Sequence, residues 1–107
     1  MINILNGNIR HVRGDTAIIN ISLSKDDAEY TLQSGDKAVF SIKKNLDDTT
    51  YVLQKELTEL KIVLEHGDTQ NLEYGDYWCD IQVTFSDGQV YTIGPFQYKL
   101  LPDVTTD

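Results

Sequence analysis

The sequence has few basic residues, and this scarcity argues against nucleic acids and membrane surfaces as partners. Lys and Arg number 9 against 17 Asp and Glu, which gives a formal net charge of −8. The basic residues are scattered from Arg10 to Lys99, and such an acidic surface repels phosphate backbones. The longest uncharged stretch, residues 88–98, is far shorter than the roughly 18 apolar residues of a membrane-spanning helix. We therefore expect a protein that binds neither nucleic acid nor membrane.

Cysteine is nearly absent as well, which limits covalent cross-linking. The single Cys79 excludes an intrachain disulfide and fits a chain that folds in a reducing cytoplasm. No basic region precedes a long apolar block near the start of the chain, so we expect no signal peptide.

The chain also lacks the residue groupings that carry most catalytic and metal chemistry. Its two histidines, His11 and His66, lie in no recognisable nucleophile or zinc motif, and there is no Gly-rich phosphate loop. Adjacent carboxylates at Asp26-Asp27 and Asp47-Asp48 do not reproduce the spacing of an EF-hand. We predict no enzymatic activity, no cofactor and no metal, although a calcium site in one of these loops stays an open alternative.

What the sequence does have is alternation of apolar and polar residues, which is typical of β-strands with one buried face. The clearest alternation lies in residues 77–85 and predicts that Cys79 points inward. Three further segments alternate in the same way. The predicted inward residues are Tyr77, Cys79, Ile81, Val83 and Phe85; Ala17, Ile19, Ile21 and Leu23; Ala38, Phe40 and Ile42; and Phe96, Tyr98 and Leu100.

Turn-forming pairs separate these runs, and together they predict the fold class. Gly35-Asp36, Gly67-Asp68, Gly75-Asp76 and Asp87-Gly88 stand where strands should begin or end. We assign structural turn roles to Gly35, Asp36 and Gly75. The spacing predicts an all-β protein: a single antiparallel β-sandwich over residues 1–107, immunoglobulin-like or jelly-roll-like, with room for a short helical turn near residues 68–72.

Residues 51–65 are ambiguous when judged from the pattern alone. Leu53, Leu57, Leu60 and Leu64 have the spacing of an amphipathic helix stripe. Residues 60–64 alternate equally well as a strand, and Thr58-Glu59 would then form the turn of a hairpin. Both structures remain open on these grounds.

The order of these signals resembles small β-sandwich proteins of tailed bacteriophages and prophages, such as the amino-terminal domain of baseplate upper proteins and head- or tail-fibre modules. The resemblance spans about residues 13–105 and consists of strand and turn residues, while Cys79 departs from it by replacing an expected aromatic residue. The residues that carry it are Arg13-Gly14-Asp15-Thr16, Gly35-Asp36, Val39-Phe40, Ile42-Lys43, Asp68-Thr69, Leu72, Gly75, Tyr77, Asp80-Ile81-Gln82, Asp87-Gly88, Thr92-Ile93, Phe96 and Asp103-Val104-Thr105.

This resemblance implies a non-enzymatic virion module that acts through protein–protein contacts. Its expected partners are other virion or prophage structural proteins and copies of itself. Its expected location is the bacterial host cytoplasm during assembly and then the virion. The resemblance also implies strands, rather than a helix, for residues 51–65.

The tripeptide Arg13-Gly14-Asp15 has two interpretations. An adhesion ligand of the integrin-binding type needs it at the tip of a mobile loop, whereas here it abuts a strongly alternating run. A turn at the strand entry gives Gly14 a backbone conformation that other residues avoid, and lets Asp15 accept hydrogen bonds from nearby N–H groups. We favour the turn and keep adhesion as the lesser alternative.

Two features are candidate contact surfaces. Trp78 lies on the face opposite Cys79. If that face is exposed, Trp78 is a candidate contact for another protein or for a sugar ring, and if other parts of the chain cover it, Trp78 belongs to the core. Ile2, Ile4 and Leu5 form an apolar terminal segment that would serve as an edge strand for docking. A module that recognises host-surface glycans through Trp78 or Tyr91 is the alternative function.

Overall fold

The computed structural model describes residues 8–25 and 27–104, most of which lie in β-strands. Ile2, Ile4 and Leu5 fall outside the described residues, so their predicted docking role stays a prediction. The elements are β1 (Asn8–Val12), β2 (Ala17–Asn20), β3 (Ser24–Lys25), β4 (Ala28–Glu29), β5 (Lys37–Lys43), β6 (Leu53–Leu57), β7 (Lys61–Leu64), the one-turn helix α1 (His66–Thr69), β8 (Gly75–Thr84) and β9 (Val90–Leu101).

The largest sheet has five strands in the order β1-β9-β8-β5-β6, while β2 pairs with β7 and β3 pairs with β4. All of these pairings are antiparallel except that of β1 with β9, which is parallel. The predicted all-β class is therefore confirmed, but the five-stranded sheet is mixed rather than wholly antiparallel. Parallel pairing is possible here because the long connection between β1 and β9 does not constrain them to a hairpin. The immunoglobulin-like or jelly-roll-like sandwich stays a prediction.

One hydrophobic core lies against the inward face of the five-stranded sheet and includes residues of β2 and β7. Every predicted inward residue of β8 and β5 is buried, and the alternating patterns of those strands are confirmed. Ala17 and Phe96 are only partly buried but pack against this core. The buried apolar residues are Ile9, Ile19, Ile21, Leu23, Ala38, Phe40, Ile42, Leu57, Ile62, Leu64, Tyr77, Cys79, Ile81, Val83, Phe85, Tyr98 and Leu100.

Residues 51–65 form two strands, β6 and β7, and no helix. They do not pair as a hairpin, because β6 pairs with β5 and β7 pairs with β2. Residues 58–60 instead connect two different sheets. A helix with a leucine stripe would leave Ile62 off its apolar face, whereas the strand buries Ile62 completely. Burial therefore decides in favour of strands.

The short helix α1 begins two residues earlier than the helical turn predicted near residues 68–72. Asp68 accepts a hydrogen bond from the Glu65 N–H (2.8 Å) and one from the Lys55 Nζ of β6 (2.6 Å). Lys55 also donates to the Val63 carbonyl at 2.9 Å. This lysine thereby ties the edge strand of the large sheet to β7 and α1.

We expect Asp68 to make the protein sensitive to acid. Burial opposes its charge, but the bonds from Glu65 N–H and Lys55 outweigh burial and lower the pKa of this carboxyl. Because the folded pKa lies below the unfolded value of about 4, this stabilisation is complete above that value and is lost as the pH falls through the folded pKa. Asp68→Asn should therefore be less stable at pH 7, and the difference should shrink toward pH 2.

Urea unfolding at a series of pH values measures this, with Asp15→Asn as an exposed control that removes the same charge. A difference that persists unchanged at low pH would show that Asp68 acts only through its shape and not through its charge.

A thiol reagent should modify Cys79 slowly in the native protein and quickly in urea. The side chain is 3 % exposed, and burial together with the nearby Asp80 raises the pKa of the thiol to about 12. The thiolate, which is the reactive form, is therefore scarce at neutral pH. Rapid modification under native conditions would contradict the assignment of the inward face of β8.

Candidate functional site

The tripeptide Arg13-Gly14-Asp15 lies in a tight turn between β1 and β2. The Asp15 N–H donates to the Val12 carbonyl at 3.1 Å, and Gly14 has a φ of +80°, which L side chains rarely adopt. The Gly14 N–H donates to the Thr69 hydroxyl at 2.8 Å, and the Gly14 carbonyl lies 2.7 Å from the His66 Nδ1. Helix α1 therefore holds the turn from both sides of its central residue.

Arg13 is engaged within the protein. Its guanidinium lies over the Tyr74 ring, 4.1 Å from the centroid, and donates to the Tyr74 hydroxyl at 2.8 Å. It also pairs with Asp103 at 3.1 Å and donates to the Leu72 carbonyl. Desolvation opposes charge on Asp103, but hydrogen bonds from its own N–H, from Tyr74 and from Arg13 lower its pKa. An adhesion ligand would need this guanidinium free, so the geometry favours the turn interpretation.

Asp15 acts in the turn through its main chain. The buried His11 lies 2.5 Å from the Tyr98 hydroxyl through Nδ1 and 2.8 Å from the Asp15 carbonyl through Nε2. A carbonyl oxygen can only accept, so His11 Nε2–H donates to Asp15, and burial raises the pKa of the Tyr98 hydroxyl that contacts Nδ1. The Asp15 side chain is exposed. The hydrogen bond that closes the turn was predicted for the Asp15 carboxylate, but the Asp15 backbone N–H forms it.

The other predicted turn residues also hold structural positions. Gly35 (φ +92°) lies just before β5, and Gly75 (φ +136°) is the first residue of β8. Asp36 accepts hydrogen bonds from the Gln33 N–H at 2.8 Å and the Ser86 N–H at 2.9 Å, and one from the Tyr30 hydroxyl. The hydrogen bond to Asp36 is the main cause that raises the pKa of Tyr30 to about 12. Asp36 thus joins the turns that precede β5 and β9.

Substitutions within the tripeptide should separate the two interpretations. An alanine at position 14 would have to adopt a positive φ, and its Cβ would lie 3.3 Å from the His66 ring. Gly14→Ala should therefore lower the free energy of unfolding by about 1–3 kcal/mol. The exposed Asp15→Ala should change it by less than about 0.5 kcal/mol. Urea unfolding measures both effects. Cell attachment that both variants abolish without any loss of stability would favour adhesion instead.

Trp78 lies in a groove on the outer face of the five-stranded sheet, the face turned away from the core. The groove has a volume of about 270 Å³. Lys43 and Trp78 are paired neighbours on β5 and β8, and residues 44–52 carry Leu46 and Tyr51 to the same place. The lining residues are Val39, Ser41, Lys43, Leu46, Tyr51, Gln54, Trp78, Cys79, Asp80, Gln82 and Pro95.

The loop of residues 44–52 covers this outer face only in part. Leu46 is 51 % exposed and Tyr51 is 48 % exposed, whereas Trp78 is half-buried. The Val52 N–H donates to the Ile42 carbonyl of β5 at 2.8 Å and anchors the end of the loop, while the Asn45 N–H donates to Asp48 at 3.0 Å within the loop. Trp78 therefore lies between the two environments expected for it. Its side chain is neither buried in the core nor fully exposed to solvent.

Polar and charged side chains make up nearly half of the groove lining, and the two charged ones have opposite signs. Burial raises the pKa of Asp80, while the nearby Lys43 opposes this shift. Lys43 also lies over the Tyr51 ring, 5.2 Å from its centroid. Gln54 donates to the buried Ser41 hydroxyl at 3.1 Å. Aromatic side chains surrounded by polar groups that can form hydrogen bonds are typical of a recognition surface.

Trp78 and Tyr91 do not form one binding surface. Tyr91 pairs with Val83, whose side chain faces the core, so Tyr91 projects from the opposite face of the sheet to Trp78. A single ligand in the groove would therefore contact Trp78 and Tyr51. The signal that sequence reasoning missed is the pair of apolar residues, Leu46 and Tyr51, that flank a loop with two aspartates.

Residues 8–25 and 27–104 contain no group of three or more His, Cys, Asp or Glu side chains that could hold a metal ion. In the same part of the chain, no helix is long and apolar enough to cross a membrane.

Comparison of the chain with protein-family models, with curated proteins and with solved structures finds no match. The resemblance to phage modules is therefore a prediction from strand and turn residues of the sequence alone.

Proposed function

We propose that this chain is a non-enzymatic structural module of a phage or prophage virion, associated with its tail, baseplate or head fibres. It acts through protein–protein contacts, and the groove around Trp78 receives part of a partner structural protein. The phage context comes from the sequence resemblance. The contact surface comes from the geometry of the groove.

The single observation that supports this role most strongly is the half-buried Trp78 beside an exposed Tyr51 and Leu46. Tryptophan and tyrosine at the centre of a concave surface contribute most of the binding energy in many interfaces, because they bury a large area with few rotatable bonds. Lys43 and Asp80 have opposite charges, so the groove itself does not share the strongly acidic character of the chain. An acidic partner is therefore not repelled there.

Trp78→Ala should weaken the complex with such a partner at least tenfold, which corresponds to about 1.4 kcal/mol. The chain would be co-expressed with the products of its neighbouring reading frames, and complexes would be purified and titrated by calorimetry. Ile18→Ala is the matched control, because Ile18 is 65 % exposed on β2 and lies outside the groove. Thermal melts of both variants verify that they remain folded.

A glycan-binding module is the second candidate, and the same groove favours it. The ring of Trp78 or Tyr51 could stack on the apolar face of a sugar, while Gln82 and Asp80 could pair with its hydroxyls. A glycan array with the wild type and Trp78→Ala discriminates the candidates. Binding to a sugar that depends on Trp78, with no complex among the neighbouring gene products, would reject the structural module in favour of this one.

A further inference from the structure

Within residues 8–25 and 27–104, the strand β9 is paired on only one side along its first half. β8 pairs with β9 from Val90 to Leu100, whereas β1 covers the other side only from Gln97 to Leu101. Among the described residues, no strand pairs with this second side over residues 90–96. Unpaired strand edges present N–H and C=O groups to any strand that can align with them.

The backbone groups at this edge can be assigned from the ladder. The Phe85 N–H donates to the Gln89 carbonyl at 2.8 Å, and bonded and non-bonded pairs alternate along antiparallel strands. Tyr91 therefore directs its N–H and C=O to β8, while Val90 and Thr92 direct theirs to the open side. Pro95 has no N–H, so it ends the usable edge.

The side chains at this edge lack the usual protection. Val90 is 57 % exposed, Tyr91 is 51 % exposed and Thr92 is exposed too. Native edges are commonly protected by lysines or other charges, but residues 88–98 carry none. In a chain of net charge −8, this stretch adds no charge of its own to the repulsion between two copies.

We propose that two copies of this chain associate through antiparallel pairing of their β9 edges around a two-fold axis at Tyr91. Val90 of each copy then pairs with Thr92 of the other, and the pairs exchange four backbone hydrogen bonds. The two Tyr91 side chains lie directly opposite each other in a non-bonded pair, where cross-strand aromatic contacts are favourable. The register is self-complementary, as a two-fold interface requires.

This inference extends the proposed function, since it names a second copy as one of the protein partners, but it uses a different surface. The edge offers only a short ladder, so the association is weak and depends on concentration. Trp78→Ala should leave it unchanged. A failure of the pairing therefore does not affect the groove, and a failure of the groove does not affect the pairing.

Cross-linking tests the pairing directly. In Tyr91→Cys, the two thiols would lie within disulfide distance across the axis, so mild oxidation should yield at least tenfold more covalent dimer than Val63→Cys gives. Val63 is an exposed strand residue on β7, and the native Cys79 is buried and does not compete. Sedimentation velocity should show a wild-type dimer at high concentration, which Tyr91→Lys abolishes by placing like charges opposite each other.

Equal cross-linking of the two cysteine variants, or a wild type that is monomeric at millimolar concentration, would overturn the proposal. Sedimentation of a chain without residues 1–7 completes the test. If the full chain is monomeric and only the shortened chain dimerises, the proposal is also overturned, because the edge is then closed by the chain's own first residues.

Discussion

Burial of one face of β8 is the constraint on which most of this structure depends. Its inward side chains, from Tyr77 to Phe85, pack in the core, and the strand pairs with β5 on one side and β9 on the other. Because side chains alternate along a strand, this burial also fixes Trp78, Asp80 and Gln82 on the outer face. The groove therefore follows from the same alternation that builds the core.

The polar contacts around Arg13-Gly14-Asp15 connect this turn to α1, to the segment before β8 and to β9. α1 holds Gly14, Tyr74 and Asp103 hold Arg13, and His11 links Tyr98 of β9 to the Asp15 carbonyl. Buried polar groups need such partners, because an unpaired one costs about 1–3 kcal/mol. A tripeptide that suggests adhesion when taken alone thus has a structural use for its guanidinium and its backbone.

The two candidate contact surfaces differ in their physical character. The groove around Trp78 is concave and aromatic, and a ligand there would gain mainly from buried area. The β9 edge offers backbone hydrogen bonds and little area, so it favours weak association between copies. The proposed role as a structural module would use both kinds of contact, one for a different partner and one for a second copy.

The sequence by itself determined the all-β class, the inward residues of β5 and β8, and the turns at Gly35-Asp36 and Gly75. These follow from local alternation and from glycine backbone conformations that each segment carries alone. The structure of residues 51–65 does not follow from the pattern alone, because the leucine spacing fits a helix or a strand. The pattern also contains no information about which strands pair with β6 and β7.

Only the tertiary structure decided those partners, the parallel pairing of β1 with β9, and the meeting of Leu46, Tyr51 and Trp78 in one groove. It likewise moved the turn-closing bond from the Asp15 carboxylate to its backbone and placed Tyr91 and Trp78 on opposite faces. The reason is physical: alternation determines which side chains of one strand share a face, whereas neighbours and register depend on contacts between residues distant in sequence.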